Sequence, residues 1–414
     1  MRYEFVKRFR LLELLWYDCM DAGEDDLSDL VVLLMMHTKK VADAAGRSGY
    51  DHRYRSEVLS GPGSSPMARI LASRNDAAYR IAFCVSVGTF DMLAEEARTR
   101  MPTRDASASH RGRPVQLDHE MTLALGLKFL LTKGTLAQLS TDFGVTATIV
   151  SDALWGAAGA PGILPTLLDI LREVPEARIE WPSHDDIGEN AARVNARYPP
   201  PPRPGGGIVA VFAWIDGVYL PIVTPTDETL QMYYYNGYRG YCGVNCLIVF
   251  DPTGCIIWAS INHNGRTNDA TISHQFAREI LRKGHVPLGH TIAGDHGFYI
   301  RAFLDFYDTP LTDYSERSDD ALVLECQERF SAWLTIVRQA AEWGMGSLQK
   351  VFKRLTTPLP QDATKRATII ECTMRLHNLR TRRDGQNQTK TVYLAELVAG
   401  LGSADDGDDT DMDA

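Results

Sequence analysis

Ile208-Val-Ala-Val-Phe-Ala-Trp214-Ile-Asp216-Gly217-Val-Tyr-Leu220 is an apolar, β-branched run with a single carboxylate set into it. Upstream lies Tyr198-Pro-Pro-Pro-Pro-Arg-Pro-Gly-Gly-Gly207, whose prolines enforce a stiff extended path and whose glycines release it. The run from Ile208 to Trp214 therefore reads as a buried strand at the start of a new domain, with Asp216 at its end. Two more strand-like runs follow, Val244 to Phe250 and Ile256 to Ile261, joined at Asp251-Pro-Thr-Gly254, which has turn chemistry. Asn268 or Thr267 caps a helix through about Arg282, and His290 to Ala293 is a short strand leading into Gly294-Asp295.

Three strands in a meander, a crossover helix and a fourth strand beside the first make a ribonuclease-H-like arrangement: a mixed α/β sheet with flanking helices. In such a sheet strands one and four are neighbours, so Asp216 and Asp295 come together at one edge. A third carboxylate from a later helix would complete a site for two hard divalent cations, which prefer oxygen ligands. Glu342 is the candidate. In Glu342-Trp-Gly-Met345-Gly-Ser-Leu348-Gln-Lys-Val-Phe352-Lys-Arg-Leu355 the apolar residues recur at steps of three and four, marking a buried helical face. Glu342 stands one turn before Met345 and is expected to point toward the sheet. By pattern alone an exposed position at the start of a helix fits equally well.

The chain upstream of the linker reads as all-α. Residues 1–113 carry apolar clusters at Phe5, Leu11, Leu12, Leu15 and Trp16 and from Leu30 to Met36, and their function is not legible. Residues 114–160 form a helix-turn-helix-like unit. Asp118 caps a first helix through Leu131, Thr135 a second through Phe143 with Gly144 at its C-terminal end, and Thr146 a third. The would-be recognition helix, Thr146 to Trp155, has no Lys or Arg and does have Asp152, so it can make few phosphate contacts; a plain helical subdomain is the alternative. Residues 161–207 are a connector, 208–380 the α/β domain and 381–414 a polar, acidic tail expected to be disordered.

Composition narrows the function classes. The formal charge is −10, from 43 Lys and Arg against 53 Asp and Glu, which at first argues against nucleic acid. The charge is segregated, however. Six aspartates lie in the last ten residues, whereas Arg338 to Lys390 holds eleven basic residues against four acidic ones. Lys350, Lys353, Arg354 and Arg375, with Lys365, Arg366, Arg380, Arg382 and Arg383, are read as a phosphate-binding surface, against the plainer reading of a solvated helix face. The seven cysteines are odd in number, no apolar leader opens the chain, and no apolar stretch reaches the ~20 residues needed to span a bilayer. A reducing compartment, nucleus or cytosol, without a membrane is expected.

Other constellations carry less. Cys242 and Cys246, with Cys255, lack a second ligand pair at zinc spacing and fall on a strand, so buried thiols are expected. His184-Asp185-Asp186 reads as surface, and His296 as a residue near Asp295 with a hydrogen-bonding or structural role. No phosphate-binding glycine loop stands between a strand and a helix, which disfavours nucleotide hydrolysis and dinucleotide binding.

Taken in order, Ile215-Asp216-Gly217, Tyr235-Asn-Gly-Tyr238, Val244-Asn245, Asn268-Asp269-Ala270, Gly294-Asp295-His-Gly297-Phe298, Glu342-Trp-Gly-Met-Gly346-Ser-Leu348 and Leu376-His377-Asn378 resemble the motifs of PIF/Harbinger-type DDE transposases and the nucleases derived from them. Each motif is weak singly; the ordered set covers about residues 205–380 and plausibly 117–160. The resemblance implies a Mg2+- or Mn2+-dependent DNA endonuclease, able to join strands, with Asp216, Asp295 and Glu342 as catalytic metal ligands. It matches Asp269 to a further acidic motif, as a metal ligand or as the cap of the crossover helix. Two positions depart from the family: Asn268 replaces its usual histidine, and Met345-Gly346 its usual Phe-Gly. The resemblance also implies a separate Myb-like DNA-binding partner, leaves self-association open, and admits an alternative in which a domesticated, catalytically silent chain binds DNA or chromatin.

Overall fold

The computed structural model describes residues 59–101, 117–157, 160–202, 210–281, 284–295, 307–308, 318–387, 389 and 391–393. The apolar clusters before residue 37, residues 203–209 of the linker and first strand, His296, Gly297, Phe298 and the acidic tail lie outside them. The chain divides into two compact units, residues 1–59 and 60–414.

Five strands order the α/β part: β1 (Ala210–Pro221), β2 (Tyr241–Phe250), β3 (Ile256–Asn264), β4 (His290–Ala293) and β5 (Tyr307–Asp308). They lie side by side as β3-β2-β1-β4-β5. The first three pair antiparallel, whereas β4 runs parallel to β1 and β5 parallel to β4. This is the ribonuclease-H-like order expected from the sequence. Parallel register sets Trp214 against Ala293, so Asp216 and Asp295 each stand two residues beyond a paired position.

Alternation along β1 distributes its side chains. Trp214, Val218 and Leu220 share one core with Val337 and Leu348 of a long helix, α11 (Ala321–Val351), and Ile370 and Leu376 of α12 (Ala363–Arg383). Phe212 and Ile215 face the other way, onto Ile187 and Ala191 of α8 (His184–Arg197) and Ile272 and Phe276 of α10 (Asp269–Phe276). Helix α10 continues as a wide turn over Ala277–Leu281, near the expected end of the crossover helix.

The N-terminal helices are α1 (Pro66–Ser73), α2 (Asp76–Phe83), α3 (Val87–Arg100), α4 (His119–Leu131), α5 (Leu136–Phe143), α6 (Ala147–Trp155) and α7 (Ile163–Glu173). Their boundaries follow local chemistry. Asp118 accepts from Met121 N–H, and Thr135 with Gln138 forms a reciprocal capping box. Gly144 holds φ +67° where a Cβ would lie 2.0 Å from Ser60 O, so only glycine fits. Thr146 precedes α6 as expected but makes no side-chain cap bond. These helices share the core of α11 and α12. Asp384, at the end of α12, accepts from Ser86 N–H, Ser86 Oγ and Thr89 Oγ1 at the start of α3, and Arg380 Nε donates to Cys84 O at 2.7 Å. Among the described residues no single helix is long and apolar enough to cross a membrane.

Candidate active site

Three aspartates lie near one another beside β1 and the end of β4. Strand β1 continues to Pro221, so Asp216 is the seventh of its twelve residues rather than its end, two positions beyond the last pairing with β4. Asp216 lies between Trp214 and Val218 in the alternation of β1 and therefore faces α11; its Oδ1 accepts from Gly217 N–H at 2.8 Å. Gly217 faces α10, and a Cβ added there would stand 2.6 Å from Asp269 Oδ2. Glycine is thus what lets the Asp269 carboxylate rest against the strand next to Asp216. Asp269 does not cap α10, because Asn268 does, accepting from Thr271 N–H at 2.9 Å. Its carboxylate instead accepts from Asn245 Nδ2 on β2 at 2.5 Å, while the same amide reaches Thr267 O.

Electrostatics ties the three together. Burial pushes the Asp216 carboxyl up to about 6; the Gly217 bond and Arg338 act in the opposite sense, and Asp269 and Asp295 raise it further. Asp269 is also raised, first by burial and with a contribution from Asp295. Carboxylates that repel one another in a partly dry site stabilise a bound cation, and their all-oxygen chemistry suits a hard divalent ion. Among the described residues, no three acidic, His or Cys side chains converge as placed on a single ion position. The aspartates are within electrostatic range without sharing a centre.

Glu342 is placed differently from the expectation. Its side chain is 58% exposed and pairs with Arg338, one turn earlier, at 3.3 Å. The inward stripe of α11 is Val337, Ala340, Ala341, Gly344, Met345 and Leu348, and Glu342 lies about 100° around the helix from Ala341. Steps of three and four located the buried face correctly but put the glutamate on its border. Arg338 thus stands between Glu342 and Asp216, and its buried Nε has no hydrogen-bond partner.

Residues 215–378 match the family model for the DDE superfamily endonucleases. Over those 164 of its 414 residues the chain is similar to a DDE superfamily endonuclease domain. Over 181 residues it is 25% identical to the Xenopus laevis protein named "Putative nuclease HARBI1", which covers 43% of this chain and 48% of the relative. The chain therefore spans about half the length of that curated relative. Two solved structures of Mos1 also align. The mariner Mos1 paired end complex with Mg is 15% identical, covering 78% of this chain and 96% of that one with a TM-score of 0.16. A pre-cleavage Mos1 transpososome is 14% identical, covering 79% and 99%, with a TM-score of 0.15. The fold assignment rests on the strand order rather than on these superpositions.

The basic stretch of the matched region needs correction. Arg354 does not face solvent: its Nε donates to Phe129 O and its NH2 group to Gly134 O, closing the end of α4, and its guanidinium lies 4.1 Å from the Phe129 ring centroid. Burial lowers it to about 10. Arg375 pairs with Glu371, which also holds Arg172. Arg366 is fully buried, donating to Asn262, Pro360 O, Gln361 O and the Tyr234 hydroxyl. Helix α12 buries Arg366 and Arg380 while Lys365, Arg382 and Arg383 stay exposed, so counting charge overstated the phosphate surface in part. Lys350 and Lys353 of the named set are exposed.

Several motif residues of the matched region also prove structural. Asn378 Oδ1 accepts from Ile256 N–H and its Nδ2 donates to Ile256 O and Arg178 O. Burial lowers His377 to about 4, and the neutral ring faces Gly254 O through Nε2 at 2.9 Å. Together they fasten the β2–β3 turn to α12. Cys242, Cys246 and Cys255 are buried free thiols. His184 opens α8, where Ser183 and Asp186 form a capping box. Motif reading missed Arg338 as a site component, and it quoted Asn245 within Val244-Asn245 without giving it a role. The signal for Asn245 was visible as a lone amide in the apolar run Val244 to Phe250.

Proposed function

We propose that the chain is a metal-dependent DNA endonuclease of the PIF/Harbinger transposase type, hydrolysing phosphodiesters and joining the freed 3′ end to a second strand. The observation that carries this reading is the grouping of Asp216 on β1, Asp269 at the start of α10 and Asp295 just beyond β4, within the region matched to DDE superfamily endonucleases. Asp216 and Asp295 would hold Mg2+ or Mn2+, with Asp269 beside them. Glu342 would join them by exchanging Arg338 for the ion. Two bound ions supply electrostatic stabilisation of the attacking and leaving oxygens in an in-line displacement. For its part the protein fixes the carboxylates on paired strands, and Asn245 holds the Asp269 carboxylate against Gly217. Lys350 and Lys353 offer charge to the DNA backbone.

Nuclear action and reliance on a separate Myb-like DNA-binding protein belong to the same reading. Helix α6 supports the second point, since it exposes Thr148 and Asp152 and has no Lys or Arg. One observation favours a catalytically silent DNA- or chromatin-binding protein: Glu342 is turned to solvent and already paired. Nicking of supercoiled plasmid in Mn2+ by the purified chain decides between them. Activity that disappears in Asp216→Ala, Asp295→Ala and Glu342→Gln is the expected result. Wild-type protein that neither nicks nor takes up Mn2+ would support the silent alternative.

A further inference from the structure

Among the described residues, the exposed large aromatic side chains are Tyr233, Tyr235 and Tyr238, between β1 and β2, and Tyr241, the first residue of β2. They stand on a short helix, α9 (Glu228–Tyr234), and a tight hairpin in which Tyr235–Asn236 pairs with Tyr241–Cys242. Tyr238 at its tip is 93% exposed and Met232 64%. Rings left in water on a small hairpin call for an explanation, because nothing in the described fold covers them.

The hairpin is rigidly mounted. Tyr234 points inward, with buried Arg366 stacked 5.0 Å from its ring centroid and donating to its hydroxyl. The Tyr219 hydroxyl stands 3.1 Å from Tyr234 O and 3.0 Å from Tyr241 O, tying both arms to β1. Asn236 Nδ2 donates to Gly265 O, and its Oδ1 accepts from the N–H groups of Tyr238 and Arg239. The outward rings are therefore presented on an ordered backbone, as a stacking surface requires.

Charge completes the description. The Arg239 guanidinium lies 5.7 Å from the Tyr238 ring centroid and is close enough to Asp269 to oppose the upward shift that burial gives that carboxyl. Arg266 lines a cleft of about 650 Å³ together with Met232, Tyr235 and Asn236. Aromatic faces interleaved with arginines are the usual means of holding unpaired nucleotides, with rings stacking on bases and guanidinium groups meeting phosphates.

We propose that this hairpin is a stacking platform for unpaired bases of the DNA strand led toward the aspartates, an inference that rests on the DNA-nuclease reading above. The test uses the full chain in EDTA, so that cleavage does not interfere, with fluorescence anisotropy on labelled oligonucleotides. A duplex with a frayed end and a fully paired duplex of equal length are compared. Wild type is expected to bind the frayed end more tightly. Tyr238→Ala and Tyr235→Ala are each expected to weaken frayed-end binding roughly tenfold while leaving the paired duplex unchanged, and Tyr238→Trp to preserve it. Arg239→Gln should weaken binding and flatten its salt dependence.

Equal wild-type affinity for the two DNAs, or equal losses on both in the alanine variants, would overturn the proposal. So would Tyr238→Ala altering the sedimentation mass while leaving DNA affinity intact, which would make the patch a protein contact. Tyr238 is almost fully exposed, so its variants should keep the wild-type melting temperature. Plasmid nicking scored separately keeps failure of the platform distinct from failure of the nuclease reading.

Discussion

Helices α11 and α12 both carry charged and polar side chains within or at the border of their buried faces, yet they treat them differently. On α12, Arg366, His377, Asn378 and Arg380 are buried and bonded to backbone carbonyls or amides of loops, strands and N-terminal helices, although His377 Nδ1 is itself buried without a partner. On α11, Arg338 leaves a buried Nε without a partner, and Glu342 spends its charge on one partly exposed ion pair. Satisfied buried groups define a single structure, whereas half-satisfied ones beside a carboxylate cluster retain interactions to offer a ligand. The carboxylates of β1, β4 and α10 belong with α11: burial and mutual repulsion raise Asp216 and Asp269, a cost that folding alone does not explain.

If this division holds, the two helices fail in different assays. Alanine at Asp216 or Asp295 should lower plasmid nicking by about 10³-fold or more, the scale of several kcal/mol of charge stabilisation, while circular dichroism and melting temperature stay close to wild type or rise. Melting that collapses in these variants would place the aspartates with α12. Conversely, Asn378→Ala removes two buried hydrogen bonds to Ile256 at the β2–β3 turn and a partly buried one to Arg178 O, and should cost about 3 kcal/mol in denaturant unfolding. Nicking per folded molecule should be unchanged. A large loss of turnover without loss of stability would mean that the helix has a chemical part.

The sequence was most readable where elements end. Four apolar runs bounded by turn residues led to the strand order, and because Asp216 and Asp295 lie on and just after parallel neighbours their approach followed without knowing the register, although β1 runs on to Pro221 and Asp216 is not its end. What could not be read was anything set by rotation about a helix axis or by pairing across β2. The position of Glu342 differs from an inward one by a single residue step. The arginines of α12 look identical in a charge count whether they meet solvent or a loop carbonyl. That Asn245 reaches Asp269 depends on β2 lying beside β1, and that Asp384 caps α3 depends on a contact spanning 298 residues. Motif order also mixed two kinds of residue. Leu376-His377-Asn378 is as much a landmark as Gly294-Asp295, although one fastens a turn and the other edges the site.

The raised acid at Asp216 gives a pH test of the same division. Its carboxyl titrates near 6 in the fold against an ordinary value of 3.8. The native state therefore binds more protons than the unfolded chain between those values, and stability falls as pH rises from about 4 to 6. Asp216→Asn removes the buried charge and should stabilise the metal-free protein by about 2–3 kcal/mol at pH 7, with little gain at pH 4. Denaturant unfolding at the two pH values measures it. An equal change at both would show that the aspartate is not held in a repulsive site.

Arg338 provides the smallest effect and the most discriminating one. It lies between Asp216 and Glu342, opposes the upward shift of the first and pairs with the second. As a cation already in the cluster it competes with a divalent ion for the same carboxylates. Two charges in contact at the effective dielectric of a partly exposed site interact by a few kcal/mol before desolvation is subtracted, leaving on the order of 1 kcal/mol. Arg338→Gln should therefore tighten Mn2+ binding about fivefold by calorimetry, and Arg338→Lys should leave it near wild type. Binding that weakens in Arg338→Gln would show that the guanidinium positions the carboxylates instead of shielding them. Arg338 would then belong with the bonded arginines of α12, and the contrast between the two helices would fail at the residue where it is sharpest.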